Sequence, residues 1–212
     1  AVVDPQQQEV VLPGAFRVIA SGVPAALTFS TAPQTVQAGA CSALLTVATV
    51  DGLGQPAPVR IDTRVNLASD QPAAQFFSDP GCASPVTSMP LAVGELSARF
   101  YFRTSTSGAL TVTAISLGLQ PASQVQRVDP AAAAALGFAT PSRDVPLGGC
   151  SPVVTVRLLD ALGNAAPAPS PVSIGLGVLP PGGVLFFSDP ACTVASASAQ
   201  LAIGELGADR YL

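Results

Sequence analysis

Histidine, lysine and tryptophan are all absent from this chain of 212 residues. Without histidine it lacks the commonest general base, a frequent metal ligand and the usual switch near neutral pH. Ser-His-Asp and Cys-His devices are therefore excluded, and the absence of lysine excludes a Ser-Lys device. All 9 basic residues are arginine, they form no cluster, and the formal net charge is −4. A nucleic-acid partner is not expected from such a distribution. Charged residues make up only 10% of the chain, yet no uninterrupted apolar run is long enough for a membrane-spanning helix. Glutamate occurs only as Glu9, Glu95 and Glu205. The last two occupy equivalent places in a repeat, so a catalytic carboxylate pair is not expected either. The chain opens on Ala and shows no signal peptide, which reads as a processed or cut start.

What is present is turn punctuation. Hydrophobic residues reach 49%, and 19 Gly and 21 Pro fall between short apolar runs. That is too apolar for disorder and has the texture of an all-β chain with many turns. A phrase also recurs: "FFSDPGC" at Phe76–Cys82 returns as "FFSDPAC" at Phe186–Cys192. The match extends outward. Cys41 pairs with Cys150, Asp51 with Asp160 and Gly54 with Gly163, an offset of 109 residues that slips by one before the FFSDP phrase. "LAVGEL" from Leu91 pairs with "LAIGEL" from Leu201. A period of this length is too long for a solenoid and suits one small β-sandwich.

Each repeat carries two cysteines, Cys41 and Cys82, then Cys150 and Cys192. They lack the close C-x-x-C spacing of metal or redox sites. The pattern predicts one disulfide within each repeat, Cys41 to Cys82 and Cys150 to Cys192, and hence an oxidising compartment. No cofactor and no metal is expected. Asp51, Asp79, Asp160 and Asp189 read as turn-capping side chains rather than calcium ligands, since no D-x-D cluster surrounds them.

Period-two alternation marks the strands. The expected inward faces are Cys41, Ala43, Leu45 and Val47; Val59, Ile61, Thr63, Val65 and Leu67; Leu96, Ala98, Phe100 and Phe102; and Leu110, Val112 and Ala114. In the second copy Arg210 and Leu212 stand where Phe100 and Phe102 stand in the first, so that strand is expected to be altered, exposed or completed differently. The stretch Asp129–Leu136, "DPAAAAAL", is read as the connection between repeats. It favours an extended two-domain rod.

The combination "AGACS…VDGLGQP…FFSDPGC…GELSARFYF…TSGALTVTA" resembles the bacterial Ig-like (Big-type) tandem repeats of large secreted and cell-surface proteins, over roughly residues 23–212. The resemblance implies tandem Ig-like antiparallel β-sandwiches acting as stalks, spacers or adhesive modules, extracellular or at the cell surface. Antibody-type domains fit less well, because no Trp lies between the cysteines. The expected organisation is an N-terminal segment at 1–22, a first Ig-like domain at 23–129 and a second at 130–212. The second lacks its last strands. "GAFRVIASG" (Gly14–Gly22) resembles "GALTVTAIS" (Gly108–Ser116), with Phe16, Val18 and Ala20 on one face. Gly14, Phe16, Val18 and Ala20 are thus candidates for strand addition to a neighbouring molecule. The alternative is that these ends belong to a longer array. Expected partners are a second copy head to tail or neighbouring Ig-like repeats. A surface glycan or a protein ligand is the competing expectation, for a binding module of a larger secreted protein.

Overall fold

A computed structural model describes residues 2–3, 9–10, 22–179 and 182–212. The chain is all-β. A short antiparallel pair, β1 (Val2–Val3) and β2 (Glu9–Val10), precedes the repeats. The first repeat builds two five-stranded sheets. One runs in the order β3 (Ala26–Phe29), β5 (Leu45–Val50), β10 (Ser97–Arg103), β7 (Gln75–Phe77), β8 (Pro85–Val86). The other runs β4 (Thr35–Gln37), β12 (Ala122–Asp129), β11 (Gly108–Ile115), β6 (Thr63–Ser69), β9 (Ser88–Leu91). Pairing is antiparallel except between β12 and β4.

The two sheets share one core, as the layering of a β-sandwich requires. Leu45, Val47, Phe100 and Phe102 come from one sheet, and Val65, Leu91, Leu110, Val112 and Ala114 from the other; all nine are fully buried. Phe100 receives the edges of Phe76 and Phe29, with ring centroids 5.9 and 6.5 Å away. Edge-to-face pairs of this kind stabilise beyond area alone.

The second repeat is smaller. β13 (Ala133–Phe138), β14 (Val154–Asp160) and β17 (Gly207–Arg210) form one sheet, while β15 (Val172–Gly175) and β16 (Ser198–Leu201) form another. Its core is Val156, Leu158, Ala168, Ile174, Ala199 and Leu201. β15 corresponds to β6 and β16 to β9. Among the described residues nothing corresponds to β11 and β12. The consequence shows on β13. Leu136 is 52% exposed and Phe138 73%, whereas their counterparts Leu27 and Phe29 are buried at 5% and half-buried.

Four sequence expectations need correction. Leu96, expected inside, is 43% exposed, because it precedes the strand that begins at Ser97. Alternation places Ala43 inward, but Ala43 is exposed and Ser42 is buried. Ser42 takes the inward place because both its backbone and its hydroxyl are bonded to Phe102. The face is regular only from Leu45 onward. Ile61, expected inside, is 74% exposed. Two prolines, Pro56 and Pro58, remove ladder donors just before it, and the strand begins at Thr63. The stretch read as a connection is mostly strand: β13 starts at Ala133, so only residues 130–132 join the repeats.

Candidate functional site

Two loop devices recur in both repeats, and a third feature joins the repeats to one another. The first device surrounds the cystine. The structure links Cys41 to Cys82 and Cys150 to Cys192, with Cα atoms 5.8 and 5.9 Å apart. Cys82 and Cys192 adopt positive φ, 50° and 53°, a region that non-glycine residues enter rarely. The Asp three residues upstream holds each turn. Asp79 accepts hydrogen bonds from the N–H groups of Gly81, Ala83 and Ser84, the last at 2.6 Å. Asp189 accepts from Ala191, Thr193 and Val194, again 2.6 Å for the last. The Ser84 and Ala83 amides hold the Asp79 carboxyl below its ordinary value, and the Val194 amide does the same for Asp189. Beside the first cystine, Phe77 is buried under the guanidinium of Arg103, 5.0 Å from the ring centroid.

The second device is the loop after the first Asp of each repeat. Asp51 Oδ1 accepts from the N–H groups of Leu53 and Gln55, both at 2.9 Å. Asp160 Oδ1 accepts from Leu162 and Asn164 at 2.8 and 2.9 Å. The glycines that close these loops, Gly54 and Gly163, both take positive φ, at 74° and 86°. Burial tends to raise the Asp160 carboxyl, but bonds from the Asn164 side chain and amide and from the Ala131 and Leu162 amides outweigh it and leave it below the usual carboxylate value. Each of these aspartates accepts hydrogen bonds from amides of its own loop. Among the described residues, no three of His, Cys, Asp and Glu gather where a metal ion could sit. Glu95 and Glu205 likewise bond back to the amides of Ala92 and Ala202, closing the turn before a strand.

The third feature is the junction. Asn164 Nδ2 donates to the Ser105 carbonyl at 2.8 Å, and the Ser107 N–H donates to Asn164 Oδ1 at 2.9 Å. The same Nδ2 donates to Asp160 Oδ2 at 2.9 Å. Leu162 lies over Gly39, whose added Cβ would come within 3.1 Å of its Cδ1. Gly39 in turn donates its N–H to the Thr104 carbonyl at 2.7 Å. The Asp160 loop of the second repeat is thus seated on the β10–β11 turn of the first. An open groove follows this joint, lined by Gln37, Ser107, Arg127, Ala165, Pro167 and Leu206.

Sequence reading placed the four cysteines and the four turn-capping aspartates, but missed Ser42, Ser151 and Asn164. The serines follow a cysteine in both copies, a signal available in the repeat. Asn164 had none, because its counterpart is Gln55 and its role appears only when two repeats meet. The strand-addition candidates Gly14, Phe16, Val18 and Ala20 lie outside the described residues. Arg210 keeps its strand position by donating to the carbonyl of Ser198 at 2.8 Å.

No protein-family model matches the chain, and no curated protein matches it. Among solved structures, it is similar to domains 4 and 5 of the S-layer protein SbsC, with 19% identity and a TM-score of 0.35, covering 50% of this chain and 52% of that one. A glycosyl hydrolase family 2 member from Bacteroides cellulosilyticus gives 19% identity and a TM-score of 0.41, covering 52% of this chain and 15% of the enzyme. A lipoprotein from Bacteroides thetaiotaomicron gives 13% identity and a TM-score of 0.34, covering 53% of this chain and 84% of that one. The chain thus spans about half of the S-layer fragment and a small part of the hydrolase. The fold assignment rests on the sheets themselves, and the bacterial Ig-like resemblance on the sequence pattern.

Proposed function

We propose that the protein is an extracellular structural or adhesive protein whose Ig-like repeats, one at 23–129 and one at 130–212, form a surface stalk or fibre. The seated junction carries this reading. A three-residue connection and a hydrogen-bonded side-chain clasp fix one repeat against the next, which suits a load-bearing spacer. Two disulfides support an oxidising compartment. The test is protease shaving and surface labelling of native cells, with scattering from the purified chain. Surface exposure and an elongated profile are expected. A reduced intracellular pool would end the reading, and selective binding on a glycan array would favour the carbohydrate-binding module instead.

A second reading, polymerisation by β-strand addition, is favoured by β15. Its counterpart β6 lies between β9 and β11, but β15 has only β16 beside it among the described residues. An open edge of this kind is a template for another strand. The donor would be the segment holding Gly14, Phe16, Val18 and Ala20. By the offset of 109 residues this segment stands in the place of β12 rather than β11. It therefore also suits the end of a preceding repeat. Deleting residues 1–22 separates the two: loss of assembly and of proteolytic protection in the second repeat supports donation, and unchanged assembly removes it.

A further inference from the structure

The loop of the second repeat that seats on the first has a twin whose tip is exposed. Asp51, Leu53, Gly54 and Gln55 correspond to Asp160, Leu162, Gly163 and Asn164. The twin is folded the same way. Asp51 N–H donates to the Gln55 carbonyl and Gly54 N–H to the Asp51 carbonyl, at 2.8 and 3.0 Å; the second copy shows the same two bonds at 2.8 and 3.1 Å. Leu162 is 46% exposed against Gly39, whereas Leu53 is 86% exposed. Next to Leu53 stands Gln55, which carries the same carboxamide as Asn164 on a stem one methylene longer.

We infer that the Asp51–Gln55 loop is a docking surface for another repeat of the same kind, received as Asp160–Asn164 is received within the chain. The occupant must offer three things that the first repeat offers the second. One is a carbonyl and an N–H two residues apart on a β10–β11 turn, matching Ser105 and Ser107, to pair with the Gln55 carboxamide. Another is a side-chain-free residue at the position of Gly39, over which Leu53 can lie. The third is tethering of that residue to the turn, as the Gly39 N–H is tethered to the Thr104 carbonyl. A carboxamide suits this task because it donates and accepts at once, so it pairs with backbone on both sides without burying a charge. The lone leucine supplies apolar contact at the centre of the joint. Gly22 fits the same picture: it corresponds to Ala131, whose N–H donates to Asp160 Oδ2 at 2.9 Å, and a Cβ at Gly22 would overlap the Asp51 carboxylate. Gly22 therefore lies against the Asp51 carboxylate, as Ala131 lies against that of Asp160.

The inference rests on the stalk reading only in requiring a neighbouring repeat. A chain with residues 22–130 duplicated ahead of residue 22 tests it wherever the native protein resides. In this three-repeat chain the Leu162 methyls should show a nuclear Overhauser contact to Gly39 of the middle repeat, which serves as the internal control. The Leu53 methyls of the middle repeat should show the same contact to Gly39 of the added one. Leu53→Asp should speed amide exchange at Ser107 of the added repeat and leave the Leu162 contact to Gly39 of the middle repeat unchanged. Gln55→Ala should speed amide exchange at Ser107 of the added repeat alone. If the control contact is present and the Leu53 contact is not, the docking surface is wrong.

Discussion

Ser42 and Phe102 are joined by two hydrogen bonds: the Ser42 N–H donates to the Phe102 carbonyl at 2.9 Å, and the Phe102 N–H donates to Ser42 Oγ, also at 2.9 Å, while Phe102 fills the core below. The hydroxyl of a small residue thus ends the β5–β10 ladder where the chain turns toward the cystine. Ser42→Ala leaves the buried Phe102 N–H without its partner, and a lost buried hydrogen bond costs about 1–3 kcal/mol. A lower denaturation midpoint with an unchanged slope is expected. Ser151 makes the same pair with Leu212, at 2.8 and 2.9 Å. Leu212 is only half-buried, so Ser151→Ala should cost less. Equal costs would contradict the role assigned to burial.

Reduction should loosen both repeats. The bridged cysteines are 41 and 42 residues apart, and closing loops of this length stabilises by about 4 kcal/mol each in the chain-entropy model. Non-reducing peptide mapping should recover Cys41 with Cys82 and Cys150 with Cys192. Replacing both cysteines of the second repeat should be the more damaging change, because that repeat has fewer core residues to fall back on.

Acid should act through Asp79 and Asp189. Their folded carboxyls lie below the ordinary value because amides of the cystine loop donate to the charged form. A depressed folded value contributes stability that is present above the unfolded pKa, about 3.9, and is lost as pH falls through the folded one. Asp79→Asn should therefore melt lower than the parent at pH 7, with the gap narrowing below pH 4. A gap that stays constant down to pH 2 would show that the charge is irrelevant and only the turn geometry matters.

Much of the fold was legible because the sequence states it twice. Alternation at Leu110, Val112 and Ala114, and at Ala98, Phe100 and Phe102, places residues that the structure buries. Repetition of FFSDP before each second cysteine marks the capped loop. Ser42 was misplaced because period-two counting treats a hydroxyl as outward-facing, whereas here it completes a backbone ladder. Ile61 was misplaced because the count ran through residues that precede Thr63, where the ladder of β6 begins. The junction was illegible for a different reason: Asn164 donates to the Ser105 carbonyl and accepts from the Ser107 N–H, and backbone donors and acceptors leave no trace in residue identity.

The last prediction compares two phenylalanines at one place in two repeats. Phe29 is half-buried and packs edge-on to Phe100; Phe138 occupies the same position on β13 and is 73% exposed. The backbone around them is paired alike, Phe29 opposite Val47 and Phe138 opposite Val156. What differs is the covering layer, since β11 and β12 lie over the first repeat and no equivalent lies over the second among the described residues. Truncating a buried aromatic costs about 3–5 kcal/mol, and a surface substitution usually stays within about 0.5 kcal/mol. Phe29→Ala should fall between these limits and lower the melting temperature of the first repeat. Phe138→Ala should be near-neutral in dilute, monomeric protein. If strands from another molecule cover this face, Phe138→Ala becomes costly at concentrations where the protein assembles, and the cost disappears on dilution. Measuring both variants across a concentration series therefore distinguishes a face that stays exposed from one that a partner closes. A Phe138→Ala cost that is large even in the monomer would mean that this chain itself covers β13.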